Sequence, residues 1–197
     1  MRLHSVGGWG AVTTGKNLAM TLYDLLGFDI RANPKYGSEK KGQPTTYFLS
    51  AAPEAIRLNC EYTYVDVVMS PDPNVFTHSN PILGLKKGGV FIIQSNLDNP
   101  EAVWSTFPVH ARRFIIDNEI RVFYVDGFKI ARDEASDLEL QFRMQGNAFQ
   151  GAFFAASPLM ERAGLDEKGL FQAIEDQLRS KFGGKGERVV QDNLRVV

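Results

Sequence analysis

Cysteine and histidine are scarce in this chain of 197 residues, which contains one cysteine and three histidines. A lone cysteine, Cys60, excludes an internal disulfide, a cysteine-ligated iron–sulfur cluster and a structural zinc site built from thiolates. His4, His78 and His110 stand far apart along the chain, so a histidine-rich metal site is not expected either. We therefore predict no metal ligands in this chain.

Long apolar runs and an excess of one charge are also missing. No segment approaches the roughly 20 apolar residues that a membrane-spanning helix needs, so we predict no membrane span. Lys and Arg total 22 against 23 Asp and Glu, a net charge of -1, and this balance argues against a nucleic-acid partner. The first residues lack the basic stretch and apolar core of a secretory signal, so a cytoplasmic location is expected.

What is present is the composition of an ordinary globular domain, with 44% hydrophobic and 23% charged residues. Apolar β-rich segments alternate with helical patterns through the first two-thirds of the chain, and helical patterns dominate the rest. Strands are predicted at 2–6, 28–32, 45–50, 64–70, 89–95 and 120–126. Helices are predicted at 11–26, 100–107, 108–118, 128–135, 138–156 and 167–182.

This order of elements predicts an α/β fold. We expect a three-layer, Rossmann-like open sheet, mostly parallel or mixed, followed by C-terminal helices. The domain is predicted to span residues 1–182, because the Gly- and Lys-rich stretch 183–186 ends the last long helical pattern. Residues 183–197 are then expected to form a C-terminal arm that packs on partner subunits.

A glycine-rich turn between the first strand and the first helix is the main candidate site. Such a turn frees backbone N–H groups beside a helix N-terminus, and the two together favour a phosphate or another anion. Two hydroxyls and a lysine follow at the start of the helix. The predicted cofactor-binding residues of this turn are Gly7, Gly8, Gly10, Thr13, Thr14 and Lys16. The alternative is that the glycines only permit a tight turn.

Two named phosphate-binding motifs nearly fit the turn, and both fail at one position. The dinucleotide pattern G-x-G-x-x-G has Thr13 where its third glycine belongs. The phosphate-loop pattern is matched by Gly10, Gly15 and Lys16, but Asn17 replaces the hydroxyl residue that binds Mg²⁺. An independent, phosphate-loop-like nucleotide-binding protein therefore remains one alternative function.

Three other segments carry expectations. The polar loop 35–44 contains Lys40 and Lys41, which either contact an anionic ligand or belong to a solvated loop. The segment 142–154 holds four phenylalanines and two glycines, so it is either central in the core or an interface. Cys60 is expected to be a buried thiol, and no nucleophile or zinc motif predicts a catalytic residue.

Three stretches carry a resemblance to a known family. The run GGWGAVTTGK at 7–16 is followed by YGSEKKGQPTT at 36–46, and KFGGKGERVVQDN stands at 181–193, near the end of the chain. In this order they resemble the gamma subunit of 2-oxoacid:ferredoxin oxidoreductases, which corresponds to the third domain of single-chain pyruvate:ferredoxin oxidoreductases. The resemblance covers nearly the whole chain.

The resemblance implies a subunit that is inactive alone. The enzymes of this family oxidatively decarboxylate a 2-oxoacid, usually to an acyl-coenzyme A. Thiamine diphosphate with Mg, and the iron–sulfur clusters, are implied to lie in partners: thiamine-binding alpha and beta subunits and a ferredoxin-like iron–sulfur subunit. Ferredoxin or an NAD(P)-linked acceptor would take the electrons.

For this chain the resemblance implies a Rossmann-like module that helps to close the coenzyme A site. The glycine turn, together with Lys16, Lys40 and Lys41, would then contact the phosphates of coenzyme A. Trp9 departs from the family pattern, because a bulky indole stands between the turn glycines. A purely structural subunit, whose pocket is filled by Trp9, is therefore the second alternative.

Overall fold

The computed structural model describes residues 1–37, 42–135 and 138–197, with the side chains of all of these except 138–143 and 162. Within these ranges the chain forms one six-stranded sheet, and each strand overlaps a β-rich segment of the sequence. The strands are β1 (Arg2–Val6), β2 (Asp29–Tyr36), β3 (Pro44–Ala52), β4 (Val65–Ser70), β5 (Leu85–Gln94) and β6 (Arg121–Val125).

The helices follow the predicted pattern and begin and end at recognisable signals. Asn99 caps one of them by accepting a hydrogen bond from the Ala102 N–H, and Gly27 ends the first with a left-handed φ of 64°. The helices are α1 (Ala11–Leu26), α2 (Pro100–Thr106), α3 (Val109–Asp117), α4 (Gly127–Glu134), α5 (Leu138–Ala156), α6 (Leu159–Ala163), α7 (Glu167–Phe182) and α8 (Glu187–Val196).

The sheet is mixed, with the strand order β2-β3-β1-β4-β5-β6. Strands β1, β4, β5 and β6 run parallel, whereas β3 pairs antiparallel with both β1 and β2. Helices cover both faces, so the predicted α/β class and three-layer open sheet are confirmed. Strand β1 therefore lies where the parallel and antiparallel halves of the sheet meet, and its carboxyl end leads directly into the glycine turn.

Two strands differ from their predicted bounds because of pairing. Strand β2 continues past Asn33 and Pro34 to Tyr36, since it is an edge strand that pairs with β3 along its whole length. An edge strand tolerates Pro34, which has no N–H to donate. Strand β5 begins at Leu85, four residues before its predicted start at 89, because Leu85 pairs with Val65 beyond a register shift.

Each face of the sheet has its own hydrophobic cluster. The first contains buried side chains of α1, α5, α7 and α8, among them Leu18, Phe149 and Ile174. The second is covered by α2 and α3 and is centred on Phe91 and Phe107. The Phe-rich segment of α5 thus lies in the core. Cys60, expected to be buried, is exposed, because residues 53–64 connect β3 to β4 without forming a strand.

The C-terminal helix α8 packs on helices of this same chain. Val190 is buried against the first cluster, and Val196 is buried beside α4 and α5. A Cβ atom on Gly151 of α5 would overlap the Val197 carbonyl, so the tail lies tightly on that helix. Contact of residues 183–197 with a partner subunit stays a prediction, which concerns the opposite, exposed side of α8. Among the described residues, no helix is long and apolar enough to cross a membrane.

Candidate functional site

The glycine turn has a backbone shape that requires glycine at two positions. Gly8 has a φ of 99° and Gly10 a φ of 89°, in the left-handed region that other residues rarely adopt. Gly10 is also the N-cap of α1, where no side chain caps the helix and no acidic residue stands in its first turn. The N–H groups that begin α1 are therefore not covered by a capping side chain, which suits an anionic ligand.

The start of β3 holds the turn in place from one side. The Gly7 N–H donates to the Gln43 carbonyl at 2.8 Å, and the Gly42 N–H donates back to the Gly7 carbonyl at 3.1 Å. Gln145 of α5 braces the other side by donating its side-chain amide to the Trp9 carbonyl at 2.8 Å. The turn is thus fixed between β3 and α5.

A cavity of about 590 Å³ opens at this turn. Besides the turn, it is lined by the end of β1, by α1, by the facing ends of β2 and β3, by α5, by the end of α7, and by α8. Its lining residues are Val6, Gly7, Gly8, Gly10, Ala11, Val12, Thr13, Asn17, Tyr36, Thr45, Met144, Asn147, Lys181, Phe182, Lys185 and Asn193.

The cations that line this cavity come from the C-terminal part of the chain. Lys181 and Lys185 flank Phe182, and their Nζ atoms lie 5.2 and 5.8 Å from the centre of its ring. Lys181 Nζ also donates to Asn17 Oδ1 at 3.0 Å. Burial lowers the pKa of Lys181, and the charge of Lys16 lowers it further. Two ammonium groups thus face the glycine turn across one cavity.

The structure brings only some of the predicted residues to the cavity. Gly7, Gly8, Gly10 and Thr13 line it. Thr14 is fully buried and its hydroxyl donates to the Gly10 carbonyl at 3.0 Å, so it supports the turn from inside.

The predicted lysines are placed differently. Lys16 does not line the cavity; it is exposed on α1, and its charge reaches the site only through its effect on Lys181. Lys40 and Lys41 lie outside the described residues.

The phosphate-loop alternative does not agree with the backbone. Helix α1 begins at Ala11, so Gly15 and Lys16 lie in its second turn rather than in a loop that could wrap a phosphate. A Cβ on Gly15 would overlap the Tyr47 ring, so this glycine is needed for close packing of α1 on β3. Asn17, at the position of the Mg²⁺-binding hydroxyl, is 7% exposed and accepts from Lys181.

Trp9 does not fill the cavity. Its ring packs edge-on against Phe128 at the start of α4, with the ring centres 5.6 Å apart and an interplanar angle of 88°. It is not among the lining residues. The indole therefore anchors the turn to α4 and leaves the cavity open.

Sequence reasoning missed the lysines and amides that complete the cavity. Lys181, Lys185 and Asn193 belong to the segment 181–193, whose predicted roles were a family resemblance and a C-terminal arm. Asn147 lies within the Phe-rich segment, for which a core position or an interface was predicted. The available signal was the pair of lysines around Phe182 in a glycine-rich stretch, a composition typical of anion-binding segments.

No metal site accompanies the cavity. In the described part of the chain, no three His, Cys, Asp or Glu side chains come together in a way that would hold a metal ion. Cys60 lies in the connection between β3 and β4 and is not a lining residue. The chemistry available at this site is therefore anion binding by N–H groups and ammonium groups.

The chain is similar in sequence to proteins of a known family. The family model described as "Pyruvate ferredoxin/flavodoxin oxidoreductase" matches residues 1–197. A relative from Pyrococcus furiosus, the "Pyruvate/ketoisovalerate oxidoreductases common subunit gamma", is 26% identical over 98% of this chain and 93% of its own length. The corresponding protein of Thermococcus litoralis is 24% identical over the same shares.

Solved structures share the fold. Pyruvate oxidoreductase subunit PORC from Thermotoga maritima matches with a TM-score of 0.65 and 21% identity, over 99% of this chain and 90% of its own. A 2-oxoglutarate:ferredoxin oxidoreductase from Magnetococcus marinus, solved with 2-oxoglutarate, coenzyme A and succinyl-CoA bound, matches with a TM-score of 0.66 and 19% identity. That match covers 99% of this chain but 29% of the longer one.

Proposed function

The chain belongs to the pyruvate ferredoxin/flavodoxin oxidoreductase family as a gamma-type subunit, and from this premise we propose that its cavity contributes to a coenzyme A site. The complete enzyme would oxidatively decarboxylate a 2-oxoacid and release an acyl-coenzyme A. This subunit would bind the phosphates of coenzyme A and help to enclose it. It would be located in the cytoplasm.

The observation that carries the proposal is the meeting of two anion-binding features in one cavity. The uncapped start of α1 lines this cavity, and so do Lys181 and Lys185. Coenzyme A carries a diphosphate and a separate phosphate, so a cavity of about 590 Å³ with two ammonium groups suits part of such a molecule. The homologous-fold structure from Magnetococcus marinus was solved with coenzyme A bound.

The other cofactors would lie in partner subunits. An iron–sulfur cluster needs several thiolates, and this chain has one cysteine. Thiamine diphosphate and its Mg ion would be bound by alpha and beta subunits, and the clusters by a ferredoxin-like subunit. These groups would supply the redox chemistry, and ferredoxin or an NAD(P)-linked acceptor would receive the electrons.

Coenzyme A, when bound, would supply the thiol that receives the acyl group. The residues of this chain would act on its distal, anionic part. N–H groups at the start of α1 would hold one phosphate, and Lys181 and Lys185 would neutralise charge on another. Exposed Thr13 would offer a hydroxyl beside the helix start. The subunit would therefore determine the affinity for coenzyme A and take no part in bond breaking.

Replacing both cavity lysines in the assembled complex tests this proposal. Lys181→Met with Lys185→Met should raise the KM for coenzyme A about tenfold or more, because each charge-assisted contact contributes roughly 1.5–3 kcal/mol. The KM for the 2-oxoacid should stay unchanged. Steady-state kinetics with each substrate varied in turn would measure both values.

Lys168→Met is the matched control, since Lys168 is exposed at the other end of α7 and does not line the cavity. It should leave both KM values unchanged. A coenzyme A KM that the double variant does not alter would contradict the proposed contact. That outcome would favour the purely structural subunit, and family membership would stand.

A further inference from the structure

Four helices each place one polar side chain on the floor of the cavity, and these side chains form a continuous hydrogen-bond series. Lys181 of α7 donates to Asn17 of α1 at 3.0 Å. Asn17 Nδ2 donates to Asn147 Oδ1 of α5 at 3.4 Å, and Asn147 Nδ2 donates to Asn193 Oδ1 of α8 at 2.8 Å. We call these four residues the amide chain.

The amide chain has one direction, which is fixed at both of its ends. An ammonium group can only donate, so Asn17 must present its oxygen to Lys181 and its NH₂ to the next residue. The same orientation then passes through Asn147 to Asn193. The series ends where Asn193 Nδ2 donates to the Val189 carbonyl of α8 at 2.7 Å. A carbonyl can only accept, so both ends of the series fix the same orientation, and each amide has one fully paired arrangement.

Burial makes this orientation costly to lose. Asn17, Asn147 and Asn193 are 7%, 3% and 4% exposed, so water does not replace a lost partner easily. A buried amide left unpaired costs more than the hydrogen bond itself contributes. A disturbance at one end of the amide chain should therefore be transmitted to the other end through three hydrogen bonds.

We infer that helix α8 positions the Lys181 ammonium for anion binding through the amide chain. Asn193 and Asn147 are positioning residues, which act on the ligand through Lys181. This rests on the proposed function of the cavity. It gives the C-terminal segment a role inside its own domain, in addition to any contact with a partner subunit. Docking of α8 and filling of the cavity by an anion then favour each other.

The molecule contains a matched control for this inference. A second buried series, in which Gln150 of α5 donates to Thr21 of α1 at 2.9 Å and Thr21 donates to Gln177 of α7 at 3.2 Å, joins three of the same helices. Gln150 is fully buried and lies one helical turn from Asn147. Neither Gln150 nor Thr21 lines the cavity. This series meets the amide chain only at the backbone carbonyl of Asn17, which accepts from Thr21 Oγ1 and from Gln177 Nε2 at 3.0 Å each. Disturbing it should therefore affect packing without turning the Asn17 side chain that holds Lys181.

A double-mutant cycle in the assembled complex tests whether Asn193 acts through Lys181. Asn193→Leu should raise the KM for coenzyme A about five- to tenfold when Lys181 is present, corresponding to roughly 1–1.4 kcal/mol. In a Lys181→Met background the same substitution should leave the KM unchanged. Gln150→Leu should leave it unchanged in both backgrounds. The inference would be overturned if the fold-changes in KM caused by Asn193→Leu and Lys181→Met multiplied in the double variant. That result would mean that the two residues contact the ligand independently.

Hydrogen exchange without any ligand gives a second, independent test. Lys181→Met should make the backbone N–H groups of α8 exchange two- to threefold faster or more in the complex, because the amide chain loses the ammonium donor at one end. Lys185→Met removes the same charge from the same cavity but no member of the chain, so it should leave α8 unchanged. Equal exchange in the two variants would overturn the inference.

The two tests also separate this inference from the proposed function. Faster exchange at α8 in Lys181→Met, with no change in the coenzyme A KM, would support the amide chain and contradict the coenzyme A contact. Lys181 is partly exposed, so its replacement by Met carries little risk of misfolding. If Asn193→Leu does not fold, the exchange experiment alone still decides the question.

Discussion

The two faces of the sheet are stabilised in different ways. The face covered by α2 and α3 is packed mainly through apolar side chains, with Phe76, Phe91 and Phe107 in contact at ring-centre distances of 5.2–5.9 Å. The face covered by α1, α5, α7 and α8 has an apolar layer next to the strands. Above it lie buried amides and hydroxyls that join the helices to each other.

This difference shows on which face of the sheet the fold accepts the desolvation cost of buried polar side chains. An apolar face gains stability from burial alone and has little requirement for orientation. A hydrogen-bonded interior gains less, but it fixes side chains in one arrangement. The cavity lies on the hydrogen-bonded face, where Asn17, Asn147 and Asn193 are both interior residues and lining residues. We therefore expect substitutions on the apolar face to change stability alone, and substitutions on the hydrogen-bonded face to change ligand affinity as well.

The largest effect should come from removing equivalent aromatic rings on the two faces. Phe91 and Phe149 are both fully buried, and Phe→Ala at either site should lower the free energy of unfolding by about 3–5 kcal/mol. Only Phe149→Ala should also raise the KM for coenzyme A, since α5 carries Asn147 into the cavity. Denaturant unfolding and steady-state kinetics would measure the two effects. An equal change of the coenzyme A KM in both variants would contradict the claim that only the hydrogen-bonded face controls ligand affinity.

Adding one methyl group to α1 should have the next largest effect. Gly15→Ala would force a Cβ into the buried Tyr47 ring and should destabilise the subunit by about 2–3 kcal/mol. Gly184→Ala is the control, because a Cβ there meets open space. Thermal unfolding would measure both. A stable Gly15→Ala variant that has lost nucleotide binding would instead revive the phosphate-loop alternative.

The sequence predicted the fold well because its patterns are local. The apolar runs at β4 and β6 and the glycine that ends α1 are sufficient to place those elements. The predicted strand bounds were wrong where pairing with a neighbouring strand determines the length. This is the case at Pro34, on an edge strand, and at Leu85, beyond a register shift. The glycine turn was predicted from its own residues, and Gly7, Gly8, Gly10 and Thr13 do line the cavity.

The remaining lining residues were beyond local patterns. Lys181 reaches the turn only because α7 packs across α1, about 165 residues later in the chain, where Lys181 meets Asn17. Lys16, which stands beside the turn in sequence, lies on the exposed side of α1 instead. Spacing along the chain gives the direction of side chains on one helix, but it does not give the packing of distant helices.

Acid should destabilise the chain through His4 of β1, and this effect should be smaller than the previous two. Burial, with the charges of Arg2 and His78, lowers the pKa of His4 from 6.5 to about 4 in the folded chain. Between these pH values the unfolded chain binds a proton that the folded chain does not. Stability should therefore be constant above pH 6.5 and fall as the pH drops toward 4, by about 1–2 kcal/mol between pH 7 and pH 5.

The His4→Gln variant would measure this contribution. Its unfolding free energy, followed from pH 7 to pH 4, should fall less steeply than that of the unsubstituted chain. His110→Gln is the control, because His110 is exposed on α3. If the unfolding free energies of the two variants have the same pH dependence, His4 is not the group that makes the chain sensitive to acid.

The smallest effect should come from Trp9, which connects the turn to α4. Trp9→Phe keeps an aromatic ring against Phe128 and keeps the backbone carbonyl that accepts from Gln145. It should cost less than about 1 kcal/mol of stability and change the coenzyme A KM less than twofold. A filled pocket predicts the opposite, since a smaller ring would open space and strengthen binding. A markedly lower KM in Trp9→Phe would therefore mean that the indole occupies the cavity in solution, and that the hydrogen-bonded face is closed to the ligand until Trp9 moves.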